Sequence, residues 1–308
     1  MSEPGRHGIR QDPRHSCSDA RPPAWCREAV KRCLGAAGYR GWRREHPEAA
    51  GSTTIQARAP QAGAVVVGVD DSPCSRAAVD HAAIEAELRR WDLRLLHVQP
   101  AGAALFPAPD RGARLLERMA ERVHAHVPTV AVFSHLAVGA AATALLAELS
   151  DTDMVVVGHR RGSVHTVFGL SIAERVAARH SGPALVVQVP GRPPGREVTD
   201  RPIVVGVDDP WIPTPALAFA RAEAKLRTCE LVVLHRMGGP APQSDQAGVR
   251  VLHRAVADDP IKVLTAASDR AAAVVVGRSD GADATTEFVG SVGRALIRDA
   301  ACPVFLIG

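Results

Sequence analysis

The sequence predicts an α/β protein built as two tandem, doubly wound domains with parallel sheets. Three observations carry that prediction. A β-branched run closing on two aspartates occurs twice, as Val65-Val-Val-Gly-Val-Asp70-Asp71 and Ile203-Val-Val-Gly-Val-Asp208-Asp209. Apolar strand-like runs alternate with helix-like segments after each copy, the signature of a parallel sheet covered by helices on both faces. The chain has 308 residues, the length of about two ordinary domains.

The elements of the first copy follow in order. Ala64–Val69 is β-branched without alternation, as expected of a strand buried on both faces. Ser72-Pro73 supplies an N-cap and a first-turn proline, and Arg76–Trp91 is helical in composition. Leu93–Val98 reads as the second strand, Arg111–Ala125 as a helix and Thr129–Ala137 as the third strand. Ala140–Leu149 reads as a helix, Met154–Val157 as a short strand ending on Gly158, Ser171–His180 as a helix and Ala184–Val189 as the closing strand.

The series then restarts. Leu231-Val-Val-Leu-His235 repeats Leu93-Arg-Leu-Leu-His97, and Val274-Val-Val-Gly277 repeats Val155-Val-Val-Gly158. Cys302-Pro-Val-Phe-Leu-Ile repeats Gly182-Pro-Ala-Leu-Val-Val. Landmarks in one fixed order make an internal duplication. Asp70 and Gly158 lie 88 positions apart, Asp208 and Gly277 only 69. The second copy is therefore expected to have lost a loop and part of a helix between His235 and Val263. The expected domains are 63–190 and 202–308, joined by a Pro-, Gly- and Arg-rich linker at 191–201 and preceded by a disordered basic tail at 1–62.

Charge and cysteine usage narrow the function classes. Residues 1–60 hold eleven basic and six acidic residues, so of the net charge of +4 the remainder of the chain carries −1. Near-neutral domains lack the basic footprint of a nucleic-acid binder. No run of 18 apolar residues and no leader-like apolar stretch occurs, so neither a membrane span nor a secretory signal is expected and the chain is placed in the cytoplasm. Six cysteines without a CxxC pair are read as reduced thiols. The thirteen histidines form no HxxxH or HExxH spacing, so no metal site is expected.

In a doubly wound sheet, ligands sit beyond the carboxyl ends of the strands. Asp70, Asp208, Gly158 and Gly277 all fall there. A carboxylate at that place can accept hydrogen bonds from a ribose or an adenine amine, and a glycine lets backbone approach a phosphate. The alternative for each is local: the aspartate caps the next helix and the glycine makes a turn. At these residues the chain resembles the universal stress protein family, over about Gly63–Pro190 and Pro202–Gly308. The run VVGVDDSP and a Gly-x2-Gly-x9-Gly-Ser signature after the fourth strand carry the resemblance.

The resemblance implies ATP, with Mg2+, as the ligand. It assigns the first-strand Asp and the second-strand Val to adenosine, and the signature glycines and Ser to phosphates. The first copy resembles the family at Asp70, Val98, Val157 and Gly158. It departs at Arg161, which stands in place of the second glycine, and at Phe168-Gly169-Leu170-Ser171, where the glycine is displaced. The second copy resembles the family at Asp208, Gly277 and Gly290-Ser291-Val292. It departs at Arg236, in place of the valine, and at Asp280, in place of the second glycine. A carboxylate about 4 Å from a phosphate charge costs about 4 kcal/mol at an effective dielectric of about 20. Arg160, Arg161 and His165 are either substitutes for lost phosphate contacts or a solvated basic loop.

No P-loop, GxSxG elbow or GxGxxG follows the strands, so a binding module is expected rather than an enzyme. The alternatives are a nucleotide-independent interaction protein with degenerate sites and a slow ATPase. The last strands, Ala184–Val189 and Pro303–Ile307, are expected to join the copies as an internal pseudo-dimer, with a homodimer as a further option.

Overall fold

The computed structural model describes residues 63–100, 109–161, 170–189, 201–236, 244–246, 248–278 and 289–308. The expected tail at 1–62 and the linker residues 191–200 lie outside them, as do Gly169, His165 and Asp280.

The first half runs β1 (Ala64–Val69), α1 (Pro73–Arg89), β2 (Asp92–Gln99), α2 (Pro109–His126), β3 (Val132–Val138), α3 (Ala141–Glu148), β4 (Met154–Arg160), α4 (Ile172–Arg179) and β5 (Ala184–Val189). The second half runs β6 (Ile203–Val207), α5 (Pro215–Arg227), β7 (Leu231–His235), β8 (Ser244–Gln246), β9 (Val249–Ala255), α6 (Pro260–Ser268), β10 (Ala273–Gly277), α7 (Ser291–Asp299) and β11 (Val304–Ile307). Among the described residues, eleven strands join one sheet in the order β3-β2-β1-β4-β5-β11-β10-β6-β7-β9-β8. Each half is thus the same doubly wound unit, with its order reversing between β1 and β4 and between β6 and β10.

The strands form because both faces are covered. Val65 and Val67 pack into one apolar layer and Val66 into the other, all of them buried. The first layer holds α1, α2 and α5 against the sheet, and the second holds α3, α4, α6 and α7. Helix starts follow local chemistry. The Ser72 hydroxyl accepts from the Ser75 amide and Pro73 occupies the first turn of α1; Thr214 and Pro215 do the same for α5. Both helices end on a non-glycine residue in the left-handed region, Arg90 at φ 56° and Thr228 at φ 53°.

The structure corrects four local expectations. The strand expected to end at Gly158 continues to Arg160, because His159 and Arg160 stay paired with Gln188 and Val189 of β5. Between His235 and Pro260 the described residues hold no helix; β8, antiparallel to β9, follows β7 where α2 follows β2. The sheet is therefore not wholly parallel. A second antiparallel pairing joins the halves, with Val304, Phe305 and Leu306 of β11 opposite Val186, Leu185 and Ala184 of β5. Fourth, Arg161, expected in a solvated basic loop or as a phosphate contact, donates to a backbone carbonyl of the other half.

Two further sets of contacts cross between the halves. On one face, Glu85 and Arg89 of α1 meet Glu223 and Arg227 of α5 in a closed ring in which each arginine binds both carboxylates. Arg227 Nε lies 2.7 Å from Glu223, and both carboxylate side chains are at most 1% exposed. Burial pushes the Glu223 carboxyl above its ordinary value, and the neighbouring Glu85 adds to this. Burial opposes the Arg227 charge, but Glu85 and Glu223 outweigh it and hold the guanidinium protonated. On the other face, Arg278 donates to the carbonyls of Ser181 (2.6 Å) and Ala177 (3.5 Å) at the end of α4. Arg161 donates to the carbonyl of Asp299, 3.1 Å away at the end of α7. A cation at a helix C-terminus is favourable because it meets unpaired carbonyls.

His180, at the end of α4, is buried and pairs through Nε2 with the carbonyl of Asp153 at 2.8 Å. The carbonyl can only accept, so Nε2 carries the proton. Burial lowers its pKa below the ordinary 6.5, and the Arg278 charge adds to this against Asp153 and Asp151. The unfolded chain takes up this proton before the folded one does. Its contribution is therefore complete above about pH 6.5 and is lost as pH falls through the lower folded value. We expect denaturant midpoints to drop below that pH and the His180→Gln variant to lose part of the slope. His253, whose pKa is also held down by burial first, supplies more of it. An unchanged slope in the variant would count against this account.

Candidate functional site

Each half carries a cavity at the carboxyl ends of its central strands, at the point where the strand order reverses. The two are not equal. The first has a volume of about 200 Å³ and is bordered by Asp70, Val98, Val157, Gly158, Leu145 and Ile172. The second, of about 320 Å³, is bordered by Asp208, Arg236, Gly277, Ser291, Val292 and Leu264.

In the first half, the groups that could hold a nucleotide are already engaged. Asp70 Oδ1 accepts from the amide of Ser72 at 2.9 Å and from its hydroxyl, so the carboxylate braces the loop leading into α1. A Cβ on Gly158 would stand 2.4 Å from the carbonyl oxygen of Cys74. The glycine is thus required by the close crossing of α1 over β4. Ser171 does not border the cavity: its hydroxyl bonds the carboxylate of Glu174 at 2.9 Å and accepts from the Glu174 amide at 3.2 Å, a reciprocal cap on α4. Arg161 donates through Nε to the carbonyl of Asp299 at the end of α7, which ties this residue to the other half. Burial, with Asp70 beside it, raises the Cys74 pKa and leaves the thiol protonated.

The second half differs at Asp208 and at the N-cap of α7. Four extra residues separate β6 from α5, and Asp209 takes the loop-bracing role, accepting from the Trp211 amide at 2.9 Å. Asp208 stays exposed at the cavity rim, with no hydrogen bond among the described residues. The N-cap of α7 is Gly290, which has no side chain to satisfy the first amides of the helix; its own amide donates to the carbonyl of Arg278 at 2.8 Å. Those amides and the helix dipole face the space where Gly277, Ser291 and Val292 meet, a ready anion site. Arg236 borders the same cavity where the first half has Val98.

Sequence reasoning missed the apolar wall of this cavity, supplied by Val256, just after β9, and by Pro260, Val263 and Leu264 of α6. The Pro260 helix start was the available signal. Leu264 closes on Gly206 as Leu145 does on Gly68; a Cβ on either glycine would come within 3.1 Å of that leucine.

The Gly158 contact yields a test. Gly158→Ala forces apart α1 and β4, and should cost about 1–3 kcal/mol of stability as overpacking does. Urea unfolding reads it; a stable Gly158→Ala protein would argue that the helix and strand can separate freely.

The fold and its two clefts define a class: a tandem doubly wound α/β protein with a switch-point cavity in each half. Residues 63–188 match the family model described as the universal stress protein family. A universal stress protein of Mycobacterium tuberculosis strain H37Rv is 27% identical over 282 residues, covering 79% of this chain and 95% of the relative. A second from the same strain is 28% identical over 307 residues, covering 79% and 94%. A solved universal stress protein from Archaeoglobus fulgidus superposes with a TM-score of 0.57 at 16% identity, over 80% of this chain and 98% of that one, a likeness of fold. Residues 63–188 thus belong to the universal stress protein family, and the chain is similar over 79% of its length to nearly the whole of a universal stress protein. Among the described residues, no helix is long and apolar enough to cross a membrane.

Proposed function

We propose that the chain is an adenine-nucleotide-binding module of stress response or signalling, with ATP as ligand and the second-half cavity as its main site. One observation carries this reading. Among the described residues, only the second half combines a carboxylate without a hydrogen bond, Asp208, with a helix N-cap that makes no side-chain cap bond, Gly290. The carboxylate suits ribose hydroxyls and the amides suit phosphate. Arg236 presents a planar cation that can stack on adenine. Magnesium would arrive with the triphosphate, since the described residues contain no group of three or more His, Cys, Asp or Glu able to hold a metal. No residue set nominates a nucleophile or base, so we assign binding rather than turnover.

The same reading makes the two halves an internal pseudo-dimer in a cytoplasmic protein, supported by the β5–β11 pairing and the ion ring. Calorimetric titration with ATP and magnesium tests the proposal; the absence of both heat and thermal shift at millimolar nucleotide would overturn it. A second reading, a nucleotide-independent interaction protein, is favoured by the engaged Ser171, Asp70 and Arg161 of the first half. It requires purification without nucleotide, and mass spectrometry finding stoichiometric ATP or AMP would exclude it.

A further inference from the structure

The lost helix of the second half leaves a different cavity on the opposite face of the sheet from α6 and α7. In the first half, α2 covers the corresponding place so closely that a Cβ on Gly112 would stand 2.9 Å from the ring of His97. In the second half, His235 has no such helix over it among the described residues and is nonetheless fully buried. The ring of His253 covers it edge-on, with centroids 6.0 Å apart, and the indole of Trp211 stacks on His253 at 6.2 Å and 11°. Trp211 comes from the extra residues before α5, and it is still 62% exposed.

A cavity of about 360 Å³ opens beside this stack, bounded by Pro210, Trp211, Pro213, Leu217, Arg221 and His253. Its size falls within the range of small-molecule sites. Two buried polar atoms in its wall have no hydrogen-bond partner: Arg221 Nε and His253 Nδ1. A guanidinium N–H is only a donor, and a buried donor left unpaired is costly. No carboxylate pairs with Arg221 among the described residues. Burial first, then His235 and Arg221, keep His253 neutral, so Arg221 is the cation of the cavity.

We propose that this cavity is a second ligand site, distinct from the strand-end cleft, for a small planar carboxylic acid. The carboxylate accepts from Arg221 Nε and meets His253 Nδ1, and its flat apolar body lies on the open face of Trp211 between Pro210 and Pro213. The proline walls are rigid and suit a small flat body. The single arginine among the described residues of the wall matches one negative charge rather than a polyphosphate.

The test is a titration of the full chain with benzoate, read by calorimetry and by the indole N–H resonance of Trp211. Expected are saturable binding with a Kd of about 1 mM or tighter, a shift of that resonance, and no change in either at saturating ATP. Benzyl alcohol, which lacks the charge, should bind at least about tenfold more weakly. Arg221→Met, which keeps the stem, should weaken benzoate by a similar factor. Trp211→Ser changes an exposed loop residue, so it tests the site without risk to the fold, and it too should weaken calorimetric binding. Binding undiminished in both variants, displacement of benzoate by ATP, or no binding at millimolar benzoate would each overturn the assignment.

Discussion

Replacing Glu223 alone with leucine should lower the unfolding free energy by about 3–5 kcal/mol and the Tm by about 10 °C. The ring formed by Glu85, Arg89, Glu223 and Arg227 is closed, so removing one carboxylate leaves two guanidinium groups sharing the other. Arg89 and Arg227 are only 8% and 14% exposed, so water cannot replace the lost partner. The cost is that of an uncompensated buried charge, not of one salt bridge. A fourfold variant, Glu85→Leu, Arg89→Met, Glu223→Leu and Arg227→Met, removes every charge together and should recover most of the loss. Buried ion networks often break even against apolar groups of similar volume. What the ring supplies is registry: each half presents the same i, i+4 pair, and only the correct apposition closes it. The fourfold variant should therefore be stable yet less selective, forming concentration-dependent oligomers in sedimentation. A single variant within about 0.5 kcal/mol of wild type would show that the ring contributes little.

How much of this was legible in the sequence depends on distance along the chain. The two Val-rich runs ending at Asp70 and Asp208 fixed the central strands, since a β-branched stretch without alternation has to be buried on both faces. Ser72-Pro73 located the start of α1 because capping is chemistry within four residues. Glu85 and Arg89 are visible as a pair one helical turn apart, but their partners lie more than 130 positions away, and no periodicity reports such a contact. Gly158 shows the same limit. A glycine after a strand is compatible with an approaching ligand or an approaching backbone, and the carbonyl of Cys74 decides which. The shortened spacing before Gly277 revealed a deletion. That a short antiparallel strand takes the place of α2, with Trp211 stacking on His253 nearby, depends on packing that spacing does not encode.

Substitution of Gly290 by valine should cost at least two decades of ATP affinity, while Asp70→Ala should leave affinity within about twofold of wild type. Gly290 has φ −58° and ψ 170°, extended backbone that valine adopts without strain. The substitution therefore places branched methyl groups beside the first amides of α7 without unfolding the helix, and phosphate loses its approach. Asp208→Ala removes a charge-assisted hydrogen bond worth about 1.5–3 kcal/mol and should weaken binding by about ten- to a hundredfold. Asp70 differs because Ser72 already occupies its carboxylate; its replacement should instead lower stability by about 1 kcal/mol as the lead-in to α1 loosens. Calorimetry on the three variants, with magnesium present throughout, separates the halves. Equal losses for Asp70→Ala and Asp208→Ala would mean both clefts bind alike. Tight binding by Gly290→Val would move the nucleotide away from α7, leaving its uncapped amides without a ligand.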